Sequence, residues 1–237
     1  MPPVRIVYFD AGGTLLDPWP SAGAIYAEVA AGFGLDLDPA ATQHAFVQAF
    51  SQSRERAVAA RGRVFGPDPA ETRAFWRETL ALLLDQLGQR PAAFDPLFDR
   101  LFEEFSHARR YRLIDGALDT LDALHRRGVR TGLISNWDHR LRPVLAGLGL
   151  SRRLDPVIIS CEAGTEKPDP AIFRLALGRA GVHPAEALMV GDSPEADVDG
   201  ALAAGMHALL LDGENWYRGP HARIEALTQT LDWLDER

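Results

Sequence analysis

Five short apolar runs recur along the chain, each closed by a polar residue: residues 4–10 (VRIVYFD), 129–136 (VRTGLISN), 156–160 (PVIIS), 187–192 (ALMVGD) and 207–212 (HALLLD). Runs this short and this continuous suit strands buried on both faces. Between them lie segments of helical period. Residues 116–128 (GALDTLDALHRRG) close at Gly128, and residues 194–205 (PEADVDGALAAG) close at Gly205. Strands alternating with helices predict a doubly wound parallel α/β sheet with right-handed crossovers, a Rossmann-like core.

Residues 17–111 break the alternation. The stretches 39–62 and 69–88 carry apolar residues at i, i+3, i+4 spacing and each ends at glycine, so helix follows helix. The pattern predicts an α-helical insert over residues 17–111, with the core formed by residues 1–16 and 112–237. Pro18 and Pro20 mark its entrance. No internal repeat or low-complexity tract interrupts this plan.

Composition narrows the function. The chain of 237 residues has 25 basic and 33 acidic side chains, a formal net charge of −8, which argues against nucleic acid or an anionic membrane as partner. With 46% hydrophobic residues it can build a real core, so disordered and collagen-like classes are excluded. The first apolar run is too short for a signal peptide or a membrane span, and a cytoplasmic monomer or homodimer is expected. The single cysteine, Cys161, can form neither an internal disulfide nor a zinc site alone and reads as a packing residue. Lys167 is the sole lysine among the 25 basic residues, and so marks a place where a guanidinium would not serve.

In a doubly wound sheet, ligands gather beyond the carboxyl ends of the strands. The residues that end the runs should therefore converge: Asp10, Ser135 with Asn136, and Asp192 followed by Asp197. Lys167 opens the helix after the strand ending at Ser160. Clustered carboxylates with backbone carbonyls suit Mg2+, and a cation and an ammonium beside a free carboxylate suit a dianionic phosphoryl group. Asp10 is then the candidate nucleophile, and Gly12, Gly13 and Thr14 form a tight loop whose amides can face phosphate oxygens.

Four segments carry a resemblance: FDAGGTLLD at 9–17, LISN at 133–136, EKPDPAIF at 166–173 and VGDSPEADVDGALAAGM at 190–206. In this order the chain resembles the haloacid dehalogenase-like (HAD) hydrolase superfamily, whose mobile cap the insert also resembles. The resemblance implies that Asp10 forms an aspartyl-phosphate, that Ser135 hydrogen-bonds a phosphoryl oxygen, and that Lys167 stabilises charge. It implies Mg2+ held by Asp10, the Gly12 carbonyl and Asp192, with Asp197 as a ligand or supporting partner. Gly13, Thr14, Asn136 and Trp137 are the expected substrate contacts, with Thr14 bracing the loop, and the substrate a small phosphorylated metabolite.

One position departs from that family's phosphatases. They carry a second aspartate two residues after the nucleophile, where this chain has Gly12, which cannot transfer a proton. General acid catalysis contributes roughly 10²–10⁴ in rate, so the reading is a phosphohydrolase whose substrate has a good leaving group or supplies its own proton. Gly12→Asp is then expected to raise activity on alkyl phosphates. Asp17, Asp138 and His139 are the stand-ins weighed for the missing acid, each read first as a solvated loop residue. A phosphonatase would need a cap lysine, and residues 17–111 contain none. Two alternatives remain: a metal-free 2-haloacid dehalogenase, although that reaction has no use for both Asp192 and Asp197, and a phosphate-ligand-binding protein of low turnover. Trp19, Trp76 and the cluster Arg54, Arg56, Arg61 and Arg63 are the insert's candidates for facing a cleft, each weighed against an ordinary packing or surface role. His44, His107 and His125 read as surface or packing residues.

Overall fold

The computed structural model describes residues 2–236. In chain order it forms β1 (Ile6–Phe9), β2 (Leu16–Pro18), α1 (Ala22–Ala31), α2 (Pro39–Arg61), α3 (Pro69–Gln86), α4 (Phe94–Glu104), β3 (Tyr111–Leu113), α5 (Ala117–Arg126), β4 (Arg130–Ser135), α6 (Leu141–Gly147), β5 (Val157–Ile159), α7 (Ser160–Ala163), α8 (Pro170–Ala180), β6 (Ala187–Gly191), α9 (Gly200–Ala203), β7 (His207–Leu211), β8 (Arg223–Ile224) and α10 (Gln229–Asp235). Six strands make one parallel sheet in the order β5-β4-β1-β6-β7-β8. The five apolar runs of the sequence are five of its strands, so the core is the doubly wound α/β fold expected.

Both faces of the sheet are covered, and side-chain alternation divides the core in two. From β1, Val7 and Phe9 point to one cluster with Leu121, Leu133 and Leu188, while Ile6 and Tyr8 point to the other with Ile134, Phe173 and Met189. Tyr8 is fully buried, and its hydroxyl donates to the Ala176 carbonyl at 2.7 Å, so its one polar atom is satisfied.

Helices α1 to α4 lie between β2 and β3, which pair antiparallel as a two-stranded ribbon with Leu16 opposite Leu113 and Pro18 opposite Tyr111. The helix starts repeat one device. Asp38 and Asp68 cap α2 and α3 with a proline at the following position, as Asp169 does for α8. The carboxylate accepts an orphan amide and the proline needs none. The helices bury Ile25, Leu80, Leu83 and Leu97 against one another as a core of their own. α2 presents small residues inward, Ala45, Ala49, Ser53 and Ala57.

The helical layer meets the sheet through polar contacts at the β4 end. Trp76 Nε1 on α3 donates to Asp138 Oδ2 at 2.7 Å, and Val64 N after α2 donates to Glu166 Oε2 at 2.9 Å. Asp138 is not the solvated loop residue expected from sequence. It is fully buried and receives Arg140 through the backbone amide, Nε and Nη2 at 2.9, 2.9 and 2.7 Å. Burial alone would raise this carboxyl, but the charge and hydrogen bonds of Arg140, with the Trp76 bond, hold it below its ordinary value. A carboxylate held this way stabilises the fold fully above the unfolded pKa, near 4, and the contribution fades as pH falls through the lower folded value. Asp138→Asn should cost about 3–5 kcal/mol at neutral pH, because Arg140 is left buried and unpaired. Urea melts between pH 3 and 7 should show the variant's stability varying less with acid than the wild type's; parallel curves would refute the assignment.

Candidate active site

The register of the sheet assembles the site. Phe9 of β1 lies opposite Leu133 of β4 and Val190 of β6, so Ser135 at the end of β4 and Asp10 and Asp192 just past β1 and β6 share one rim. Asp10 N donates to the Val190 carbonyl at 3.0 Å, which fixes the turn that carries its side chain.

Lys167 is the centre of the charges. Its Nζ lies 2.8 Å from Asp10 Oδ1 and 2.5 Å from Asp197 Oδ1, with the lysine side chain only 2% exposed. Burial would discharge such an amine, yet the two facing carboxylates outweigh burial and raise its pKa, so it stays an ammonium. Oxygens of Asp10, Asp192 and Asp197 all lie within 4.8 Å of one another. Burial, then the charges of Asp10 and Asp197, push the Asp192 carboxyl up to about 7. Asp197 is raised too, chiefly by burial, with Lys167 opposing.

Three carboxylates thus face one ammonium, a formal excess of two negative charges when all three are ionised, and the raised Asp192 and Asp197 carboxyls are the response to it. Asp10 Oδ1 is buried with the ammonium beside it but makes no well-formed hydrogen bond. A hard divalent cation with oxygen ligands fits both facts: an all-carboxylate donor set and a charge deficit of two.

The loop after Asp10 is wound on itself. Ala11 O accepts from Leu15 N at 2.8 Å and Leu16 N at 2.9 Å, and Gly13 N donates to Leu16 O at 3.2 Å and Asp17 Oδ1 at 3.1 Å. The Gly13 amide is therefore engaged inside the loop rather than free for a phosphate, and Asp17 is its acceptor rather than a free acid. Gly13 has φ +72° and lies against Asp192: a Cβ there would sit 2.3 Å from Asp192 Oδ2, so only glycine lets that carboxylate approach. Thr14 is fully buried and its hydroxyl donates to Asp192 Oδ1 at 3.4 Å, so it orients a carboxylate instead of touching solvent.

Asn136 also works through a neighbour. Its Nδ2 donates to the Lys167 carbonyl and its Oδ1 accepts the Lys167 amide, both at 2.8 Å, which fixes the lysine's backbone. Ser135 is buried at the end of β4. Asp197 Oδ2 accepts from Ser193 N at 3.0 Å, so this carboxylate is held from one side while its other oxygen holds Lys167.

Trp137 stands over Gly12. A Cβ built on Gly12 would lie 3.1 Å from Trp137 Cζ3, tighter than ordinary van der Waals contact. The indole therefore borders the position that a side chain at residue 12 would start from. Gly12→Asp, expected from sequence to raise activity on alkyl phosphates, therefore requires the indole to give by a few tenths of an ångström.

A cavity of about 200 Å³ opens beside Trp137, with Phe46, Phe50, Phe65 and Trp76 on the helical side and Tyr111 and Asn136 on the other. None of Arg54, Arg56, Arg61 and Arg63 lines it. Arg56 pairs with Glu78, Arg63 with Glu71, and Arg61 donates to the Val64 carbonyl. Trp19 is 46% exposed beneath the Arg112 guanidinium, whereas Trp76 is a wall of the cavity. His139 is tied up by Cys161 Sγ and the Pro67 carbonyl, and His125 bonds Thr131. Burial pushes the Cys161 thiol up to about 12, which keeps it inert. Glu166, which sequence reasoning left without a role, joins the lysine's own loop to the helical layer. Its position one residue before Lys167 was the available signal.

A family model described as haloacid dehalogenase-like hydrolase matches residues 4–205. Haloacid dehalogenase-like hydrolase domain-containing protein 3 of Homo sapiens is 36% identical over 211 residues, covering 89% of this chain and 82% of the human protein. Ribulose-1,5-bisphosphate 5-phosphatase of Halopiger xanaduensis is 34% identical over 215 residues, covering 87% of this chain and 84% of the relative. Among solved structures, the Bacillus subtilis HAD-hydrolase YfnB bound to magnesium has a TM-score of 0.77 at 20% identity, covering 99% of this chain and 100% of that one. A 2-haloacid dehalogenase from Pseudomonas syringae has a TM-score of 0.66 at 27% identity, covering 98% and 99%. No described helix is long and apolar enough to cross a membrane.

Proposed function

The chain belongs to the haloacid dehalogenase-like hydrolases, and within them we propose that it is a magnesium-dependent phosphohydrolase acting on a small phosphorylated metabolite through an aspartyl-phosphate at Asp10. The observation that carries this reading is the charge deficit: three carboxylates within 4.8 Å of one another around one buried ammonium. An anionic substrate cannot enter such a site until a cation balances it. The phosphatase named among the relatives supports the same class.

Asp10, the Gly12 carbonyl and Asp192 are the groups that would hold Mg2+, which when bound neutralises phosphoryl oxygens and lets a carboxylate approach phosphorus. Asp10 contributes the attacking oxygen. Lys167 holds Asp10 in place and presents positive charge to the phosphoryl group, and Asp197 keeps that ammonium charged and aimed. Ser135 donates its hydroxyl to a phosphoryl oxygen. Thr14 and Gly13 set the position of Asp192, and Asn136 that of Lys167. With glycine at residue 12, no aspartate there can protonate the leaving oxygen, and Asp17, Asp138 and His139 are all engaged elsewhere. Substrates with acidic leaving groups follow.

The test is a panel of alkyl, aryl and acyl phosphates plus 2-chloropropionate, with and without Mg2+, reading phosphate and chloride. Phosphate release that needs Mg2+ and rises with leaving-group acidity is expected. Chloride release without metal would make the protein a dehalogenase. Stoichiometric aspartyl-phosphate without turnover would make it a binding protein.

A further inference from the structure

We infer that the cavity beside Trp137 receives the leaving group, and that this group is a neutral single-ring aryl alcohol, so that the substrate class is aryl phosphate monoesters; this rests on the phosphohydrolase reading above. The argument starts from what lines the space. Phe65 stacks on Trp76 with centroids 6.0 Å apart and planes 20° apart, Phe50 lies 5.7 Å from Trp76, and Tyr111 lies 6.0 Å from Trp137. Such walls offer ring faces and edges at the separations aromatic pairs prefer.

The charged and amide groups at the wall are already partnered, and the Tyr111 hydroxyl donates to the Phe105 carbonyl at 3.0 Å. Asn136 spends its amide on the Lys167 backbone. Arg140 is forked onto Asp138, donates to the Phe102 carbonyl at 3.4 Å, and lies over the Trp76 and Phe102 rings at 4.8 and 4.3 Å. The charge of Arg140 is already matched by Asp138, so a carboxylate or second phosphate in the cavity would be desolvated without an uncompensated cation to pair it. Size agrees: a dry apolar cavity of about 150 Å³ takes one benzene ring, and this one measures about 200 Å³.

The missing acid points to the same class independently. Phenols titrate near 10 and leave without prior protonation, whereas water and alkoxide leaving groups near 16 do not. Trp137 links the two observations, because the ring that forms a wall of the cavity also lies 3.1 Å from where a Gly12 Cβ would stand. In the reaction, an Asp10 oxygen bonds to phosphorus as the bond from phosphorus to the aryl oxygen breaks, its electron pair staying on that oxygen. One water then attacks phosphorus, the bond to Asp10 breaks, and the proton shed by that water ends on the phenolate. The products are the phenol and inorganic phosphate.

The experiment compares phenyl phosphate, 4-carboxyphenyl phosphate and acetyl phosphate in Mg2+. The two aryl esters differ little in leaving-group acidity but differ in charge, and acetyl phosphate has an acidic leaving group and no ring. The kcat/KM for phenyl phosphate should exceed that for 4-carboxyphenyl phosphate by about tenfold or more, since the site cannot pair the added charge. Phe50→Leu, which keeps apolar volume and removes the ring, should lower the preference for phenyl over acetyl phosphate by about tenfold, mainly through KM. Equal rates for the two aryl esters, or an unchanged preference in Phe50→Leu, would overturn the inference while leaving the phosphohydrolase reading intact. Failure to cleave acetyl phosphate would instead sink that reading. Calorimetry then decides the cavity alone: phenol should bind and 4-hydroxybenzoate should not, and no heat from phenol overturns the assignment.

Discussion

Asp10→Asn should remove roughly 10⁴-fold or more of the hydrolytic rate, the scale on which the loss of a reacting group is felt, while the protein stays folded. Asparagine is isosteric, so the turn fixed by the Asp10 amide on Val190 is kept. It cannot form an acyl phosphate, and the other two carboxylates of the cluster are engaged, Asp197 by Lys167 and Ser193 and Asp192 by the Thr14 hydroxyl. The electrostatic consequence runs opposite to the catalytic one. In the metal-free protein the substitution takes one negative charge from a site with a formal excess of two, and it relieves the repulsion that helps push Asp192 up to about 7. Melting in the absence of divalent ions should therefore show a variant at least as stable as the wild type. Turnover near the wild-type level would remove Asp10 as nucleophile. A large drop in stability would mean that the Asp10–Lys167 pair matters more to the fold than the surplus of charge does.

That rim was legible in the sequence because strand-end residues of a parallel sheet must converge. Each of Asp10, Ser135 and Asp192 closes or follows an apolar run, and β1, β4 and β6 are adjacent strands. What was illegible depends on pairs far apart in the chain. Trp76 and Asp138 are separated by 62 positions, Val64 and Glu166 by 102. Neither Asp138 nor Glu166 announces by its neighbours that it faces the insert. Asp138 read as solvated because the loop WDHR is polar, whereas Arg140, two residues on, folds back to neutralise it and lets both be buried. The ribbon of β2 and β3 went unseen because three-residue strands show no alternation and one contains Pro18. The contact of Gly12 with Trp137 was hidden for the same reason as the others, although both residues had been singled out separately. Its consequence is that the residue lacking a side chain after the nucleophile lies against a tryptophan that is also a wall of the aromatic cavity.

Lys167 carries the remaining large effect. Lys167→Met leaves the carboxylates of Asp10, Asp192 and Asp197 with no protein cation, in a place where the lysine side chain was 2% exposed. Removing one partner of a buried pair costs about 3–5 kcal/mol, so the metal-free variant should melt far below the wild type. Millimolar Mg2+ should recover much of that loss, because the cation then supplies the only positive charge, and turnover should stay lost in either condition. Lys167→Arg separates charge from shape. A guanidinium keeps the charge and should keep more of the metal-free stability than methionine does. Its planar fork cannot place a compact donor 2.8 Å from Asp10 and 2.5 Å from Asp197 in the same pocket, so turnover should still fall by about 10²-fold or more. An arginine variant with wild-type rates would show that any cation suffices. The composition argues otherwise: the chain uses arginine for 24 of its 25 basic residues and retains lysine only where two carboxylates close on a single nitrogen.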